Sequence, residues 1–213
     1  MEQRDFIEQL FNLLISNKRF PNYQAERRID IFINYFLERI LSTYLEKPAT
    51  YICPEFPLLK VKEDDKPVIN RTNSNKVDYL CAADRDIFYV ELKTNKGTIK
   101  KNQLDIYLKN LNWRATLENF KKIVDLPRDD KDYQNKYNAL GNKIYNSNIT
   151  HFNEKIRLIY LSPTLIKESD THKLGTAKRF IDLKFKMTEP EQQVWEYLCS
   201  EELDMKVFEI IAK

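Results

Sequence analysis

The sequence is poor in glycine and histidine, and both shortages exclude classes of binding site. Its 213 residues include three glycines and two histidines. Gly97, Gly141 and Gly175 are too far apart to form a phosphate-binding P-loop or a GxGxxG dinucleotide-binding fingerprint. His151 and His172 cannot supply an HExxH zinc site or a multi-histidine cluster. Any metal site in this protein must therefore be built from carboxylates.

The sequence is also short of cysteine and of long apolar runs. Cys53, Cys81 and Cys199 are far apart and fit no zinc spacing, which indicates free thiols in a reducing compartment. No stretch approaches the roughly 18 apolar residues of a membrane span, and the N-terminus lacks the basic start and cleavage site of a secretory signal. We therefore expect a cytoplasmic protein with no membrane partner. A formal net charge of +3 permits a polyanionic partner without requiring one.

The apolar pattern predicts helices and strands in mixed order. Helical spacing predicts two helices between Asp5 and Leu45, divided at Pro21. KVDYLCAADRDIFYVELK predicts a hairpin that turns on Asp84 and Arg85, and the absence of glycine there leaves the turn type open. Further predictions are a proline-edged strand in YICPEFPLL, a loop over 62–76, a helix over 100–117, a helix within 127–153, a buried strand in KIRLIYLSP, a short strand in RFIDLKF and a helix opening at a Thr188 capping box. This order predicts an α/β fold, one domain over residues 1–213, with a central mixed β-sheet flanked by α-helices.

The predicted hairpin brings two acids and a lysine together. A turn on Asp84 and Arg85 places Asp78 directly opposite Glu91, and strand alternation puts Lys93 on the same face. Opposed like charges repel, so a compensating cation is expected, and Mg²⁺ and Mn²⁺ prefer carboxylate oxygens. A loop of odd length would instead turn one carboxylate to the other face. The competing interpretation, two solvated charges on an open face, is disfavoured because both predicted faces of the hairpin are largely apolar.

This combination of residues suits phosphodiester hydrolysis. A metal ion polarises the phosphoryl oxygen and generates hydroxide, while a neighbouring lysine stabilises charge or positions the attacking water. Lys96, Lys100 and Lys101 cluster near Lys93 and predict contacts with a phosphate backbone, with a solvated loop as the alternative. We expect a nucleic acid as partner, DNA being favoured over RNA, and a homodimer remains an open alternative.

The same residues resemble the PD-(D/E)xK nuclease superfamily, which includes restriction endonucleases and Holliday-junction resolvases. The matching residues are Asp78 in KVDYL and Glu91-Leu92-Lys93 in YVELKT. The resemblance implies a restriction-endonuclease-like core in which Asp78 and Glu91 hold Mg²⁺ or Mn²⁺. It further implies that the Leu92 backbone carbonyl adds a ligand and that Lys93 assists the attacking water. No proline precedes Asp78, a departure that is common in the superfamily.

The resemblance also implies supporting residues on neighbouring helices. Gln103 would support the site from the following helix, with Tyr107 one turn on, although Tyr107 also fits a core position. A further glutamate is expected before the first strand, where Glu26 in AERRI is the best match, Glu38 the second and Glu55 another alternative. The resemblance covers roughly residues 24–162 and leaves 163–213 as an extension that packs on the core.

Two functional hypotheses follow. The first is a metal-dependent nuclease that hydrolyses phosphodiester bonds, with DNA as the favoured substrate, similar to bacterial members of this superfamily. The second is a catalytically inactive module that keeps the nuclease fold and binds nucleic acid or a protein partner.

Overall fold

A seven-stranded mixed sheet flanked by helices forms the centre of the protein. The computed structural model describes residues 25–61, 67–68, 75–94, 101–126, 131–201 and 203–213. The described helices are α1 (Ala25–Leu45), α2 (Lys101–Lys109), α3 (Trp113–Val124), α4 (Lys131–Tyr145) and α5 (Glu189–Leu198). The described strands are β1 (Ala49–Leu58), β2 (Lys60–Val61), β3 (Pro67–Val68), β4 (Asn75–Ala83), β5 (Asp86–Leu92), β6 (Ile156–Ser162), β7 (His172–Leu174), β8 (Lys178–Arg179) and β9 (Lys206–Ala212). None of these helices has the length and apolarity of a membrane span.

The sheet combines antiparallel neighbours with one parallel pair. Its strand order is β1-β4-β5-β6-β9-β7, with β8 also paired to β9, and β2 and β3 form a separate two-stranded sheet. Only β5 and β6 pair in parallel among the described strands. The predicted central mixed sheet is therefore confirmed. The predicted strand in YICPEFPLL is β1, which carries both prolines and lies at the edge of the sheet, where proline is tolerated.

The β4–β5 hairpin has the predicted register. Backbone pairing runs from Ala83 opposite Asp86 to Tyr79 opposite Val90, so the two-residue turn is formed by residues 84 and 85. Asp84 adopts the left-handed region, with a φ of 52°, and so provides the conformation for which glycine is the usual choice. The register that brings Asp78 level with Glu91 is thereby set.

Both faces of the hairpin are buried, as the apolar pattern predicted. On one face, Phe36 of α1 belongs to the same core cluster as Val90 and Trp195 of α5. On the other face, Tyr89 packs in a second cluster with Trp113 of α3. Covering both sides with helices excludes water from the middle of the sheet, so a charged group there needs protein partners.

The predicted helix over 100–117 is instead two helices, and that prediction was wrong at its centre. The chain leaves the helix after Lys109 and starts again at Trp113. Asn112 caps α3 by accepting a hydrogen bond from the Ala115 backbone N–H at 2.9 Å. The Asn110 side chain donates to the Ile106 carbonyl at 2.8 Å. Asparagine side chains compete in this way with the hydrogen bonds of the helical backbone, which explains the break. The helical spacing of apolar residues continues across the break, so the spacing alone did not predict it.

The C-terminal part of the chain differs most from the prediction. β9 enters the same sheet between β6 and β7, so residues 163–213 extend the sheet as well as pack on it. RFIDLKF contributes only part of the short strand Lys178–Arg179 and continues as a 3₁₀ turn over Phe180–Asp182. The predicted loop over 62–76 includes β3, and its other described residues begin β4. The helix expected before Pro21 lies outside the described residues, while the Thr188 capping box is confirmed.

The turn residue Asp84 generates a stability prediction. We expect Asp84→Ala to lower the free energy of unfolding by about 1 kcal/mol. The left-handed conformation is less favourable for alanine than for aspartate, whose side chain can hydrogen-bond to the nearby backbone. Asp84→Gly should keep or raise it. Both variants remove the 3.4 Å ion pair with Lys47. The difference between their free energies of unfolding therefore reports the cost of the left-handed backbone conformation. Urea denaturation measures both, and equal stabilities would show that the turn relaxes instead.

Candidate active site

Glu91, near the end of β5, is a fully buried carboxylate with three side-chain donors. Its exposed fraction is 0%. Oε1 accepts hydrogen bonds from the Lys93 ammonium and from Gln103 Nε2, the latter at 2.7 Å. Oε2 accepts from the Tyr107 hydroxyl at 2.6 Å. Buried carboxylates are stable only when paired and hydrogen-bonded, and these donors meet that requirement.

Two of the donors come from α2. Gln103 and Tyr107 are four residues apart and therefore lie on one face of this helix. Gln103 Nε2 also donates to the Tyr107 hydroxyl at 2.7 Å, and that hydroxyl lies 2.8 Å from the Lys76 carbonyl. Burial, and then the negative charge of Glu91, raise the pKa of Tyr107, which keeps its O–H protonated at neutral pH. The helix thus presents a pair of neutral donors that orient the carboxylate.

Asp78 lies where β4 and β5 stop pairing through their backbones. One residue beyond the Tyr79–Val90 pair, Asp78 Oδ2 accepts a hydrogen bond from the Leu92 backbone N–H at 2.7 Å. The carboxylate takes the position that a strand carbonyl would otherwise fill. The N–H and C=O of one strand residue point to the same neighbour, so the Leu92 carbonyl is directed to the side on which Asp78 lies. Three residues predicted for the site are therefore adjacent at this end of the hairpin: Asp78, Glu91 and Leu92.

Tyr160 of β6 completes the surroundings of the two acids. It is level with Glu91 in the parallel β5–β6 pairing. Burial, followed by the charges of Glu91 and Asp78, raises the pKa of Tyr160, so both carboxylates act on this hydroxyl. Sequence reasoning missed Tyr160. The available signal was a tyrosine inside the otherwise aliphatic KIRLIYLSP run, since a buried tyrosine hydroxyl usually has a polar partner.

The candidate third acids have other partners or cannot be described. The Glu38 carboxylate accepts from the Tyr51 backbone N–H at 2.8 Å. Glu55 forms a 3.0 Å ion pair with Lys76. Glu26 lies in the first turn of α1, and its side chain is outside the described part of the structure. Within the described ranges, no three histidine, cysteine or acidic side chains are grouped to hold a metal ion, so the described site offers two carboxylates.

The predicted phosphate-binding lysines are described only in part. Lys96 and Lys100 lie outside the described residues, and Lys101 is exposed at the first position of α2. Lys101 lines a cleft of about 630 Å³ between α2 and the C-terminal strands. The charged residues of this cleft are Lys101, Lys109, Lys213, Asp105 and Asp170. The cleft is therefore weakly basic, which matches the modest charge of the whole chain.

The chain matches no protein-family model, no curated protein and no solved structure. Asp78, Glu91 and Lys93 together carry two formal negative charges and one positive charge; Glu91 and Lys93 are buried and Asp78 is half-buried. An excess of hard carboxylate oxygens in a partly desolvated position suits a divalent cation such as Mg²⁺ or Mn²⁺.

The donor network around Glu91 predicts unequal effects for two tyrosine substitutions in the same core cluster. We expect Tyr107→Phe to lower the free energy of unfolding by about 2 kcal/mol, because it removes a hydrogen bond to a buried charged group. Tyr89→Phe should cost about 1 kcal/mol, because its hydroxyl donates to a neutral partner, the Thr116 hydroxyl, at 3.2 Å. Denaturant unfolding of both variants tests this order, and a smaller loss for Tyr107→Phe would contradict it.

Proposed function

We propose that this protein is a divalent-cation-dependent nuclease of the PD-(D/E)xK kind that hydrolyses phosphodiester bonds in DNA. The observation that carries the proposal is the environment of Glu91. Its buried carboxylate contacts the Lys93 ammonium, which lies two residues further along the chain. Gln103, the helix residue that the resemblance assigns to site support, donates to the same carboxylate. Even a well-compensated buried ion pair typically stabilises a fold no more than apolar packing of the same volume would, which favours a functional reason for it.

The chain's own oxygens fit Mg²⁺ or Mn²⁺. Asp78, Glu91 and the Leu92 carbonyl would hold the ion, and Mg²⁺ sites often use only one or two carboxylates together with water and substrate phosphate. When bound, the ion would polarise a phosphoryl oxygen and lower the pKa of a bound water. Gln103 and Tyr107 hold the Glu91 carboxylate in one orientation, which limits the reorganisation needed for binding.

Lys93 is the residue we assign to the reacting phosphate. Its ammonium is held beside Glu91, and its side chain is 9% exposed. A charge in such a desolvated position acts more strongly on a developing phosphoryl charge than one in water. We infer that Lys93 stabilises this charge and positions the attacking water. Lys101, together with Lys96 and Lys100, would hold the nucleic-acid backbone beside the site.

The second candidate is a nuclease-fold module without catalysis that binds nucleic acid or a protein. Two observations favour it. Both carboxylate oxygens of Glu91 already accept hydrogen bonds from protein donors. The described residues also provide no third acidic side chain at the site. Metal-independent DNA binding with a steep salt dependence, and no cleavage with any divalent cation, would support this alternative.

A substitution of Lys93 tests the nuclease directly. We expect Lys93→Ala to reduce Mn²⁺-dependent DNA cleavage at least about 100-fold, because it removes the stabilising cation from the reacting phosphate. Lys178→Ala, which removes an ammonium from β8, is the matched control and should retain wild-type cleavage.

Folding must be measured on the same samples, because Lys93→Ala leaves Glu91 buried without its counter-charge. Circular dichroism and thermal unfolding show whether each variant is folded at the assay temperature. A folded Lys93→Ala protein that cleaves DNA at the wild-type rate would contradict the assigned role.

A further inference from the structure

Among the described residues, two buried polar side chains beside the proposed site have no hydrogen-bond partner. Six described residues have a buried side-chain nitrogen or oxygen for which the structure gives no hydrogen-bond partner. Two of the six adjoin residues of the site: Thr94 directly follows Lys93, and Tyr160 pairs with Glu91 across β5 and β6. Native proteins rarely leave such groups unpaired, so an unpaired hydroxyl beside the site points to a polar ligand.

Tyr160 is the more buried of these two residues. Its side chain is fully buried, with an exposed fraction of 0%. Its ring stacks on Phe208 of β9, with centroids 5.9 Å apart and planes inclined by 13°. The strand pairing on either side places Tyr160 opposite Glu91 in β5 and Phe208 in β9. The position of its hydroxyl is therefore fixed by the packing of the ring. Among the described residues, none forms a hydrogen bond with this hydroxyl.

Two other buried tyrosines of the same core cluster differ from Tyr160. Tyr89 donates to Thr116 Oγ1 at 3.2 Å, and the Tyr107 hydroxyl contacts Glu91 Oε2 at 2.6 Å. Tyr160 lies within the influence of the two carboxylates, yet neither accepts its hydroxyl hydrogen. An oxygen atom held between the Tyr160 ring and the two carboxylates would accept a hydrogen bond from the Tyr160 hydroxyl. A cation bound by carboxylates brings such oxygens as its waters of hydration.

We propose that Tyr160 is a further residue of the cation-binding site, whose hydroxyl hydrogen-bonds a water in the hydration shell of Mg²⁺ or Mn²⁺. This inference rests on the proposed function, since it requires Asp78 and Glu91 to hold the cation. Tyr160 touches the water and not the ion, so it is a positioning residue. Substituting a residue that hydrogen-bonds a ligand of a metal ion typically changes the affinity of the site for that ion by about 10- to 100-fold.

Calorimetric titration with Mn²⁺, combined with thermal unfolding in the absence of metal, tests the assignment. Tyr160→Phe should weaken Mn²⁺ binding about tenfold. Without metal its unfolding midpoint should be unchanged or higher, because the variant removes an unpaired buried hydroxyl. Tyr89→Phe is the matched control from the same sheet face. It should lower the unfolding midpoint, by loss of its bond to Thr116, and leave the Mn²⁺ affinity as in wild type.

The outcomes separate this inference from the proposed function. Wild-type Mn²⁺ affinity in Tyr160→Phe overturns the role of Tyr160 and leaves the cation site standing. An equal loss of affinity in Tyr89→Phe overturns it too, because the effect would then come from packing. A lower metal-free midpoint for Tyr160→Phe shows that its hydroxyl is already paired within the protein and overturns it as well. No Mn²⁺ binding by the wild type overturns both the inference and the metal site of the proposed function.

Discussion

The burial of the Glu91 carboxylate is the constraint on which the rest of the site depends. A desolvated carboxylate is costly unless hydrogen bonds and an opposite charge compensate it. Lys93 supplies the charge from the same strand end, whereas Gln103 and Tyr107 reach the carboxylate from α2. The pairing therefore links the position of this helix to the register of the β4–β5 hairpin. A shift of either element would leave a buried charge without partners.

The local part of this arrangement could be predicted from the sequence. The alternation of apolar residues and a two-residue turn determine the register that brings Asp78 level with Glu91. Strand alternation places Lys93 on the same face as Glu91. The type of turn could not be predicted, because Asp84 adopts a backbone conformation that aspartate reaches less readily than glycine.

The long-range part could not be predicted. Tyr160 reaches the site only because β6 pairs in parallel with β5, and more than 60 residues separate Tyr160 from Glu91 in the sequence. No local pattern encodes such a pairing. β9, whose Phe208 holds the Tyr160 ring, was missed for the same reason. The helix break at Asn112 was missed because apolar spacing outweighed a capping residue that was present in the sequence.

The nuclease and the non-catalytic module share every hydrogen bond around Glu91, and they differ in whether Asp78 and Glu91 take up a cation. The most direct measurement is an anomalous difference map from crystals soaked in MnCl₂, with Asp78→Asn crystals as control. The nuclease account predicts a manganese peak between the carboxylates of Asp78 and Glu91 that is absent in the variant. Wild-type crystals without a peak at this position, in which the Asp78 carboxylate still accepts from the Leu92 N–H, would contradict it.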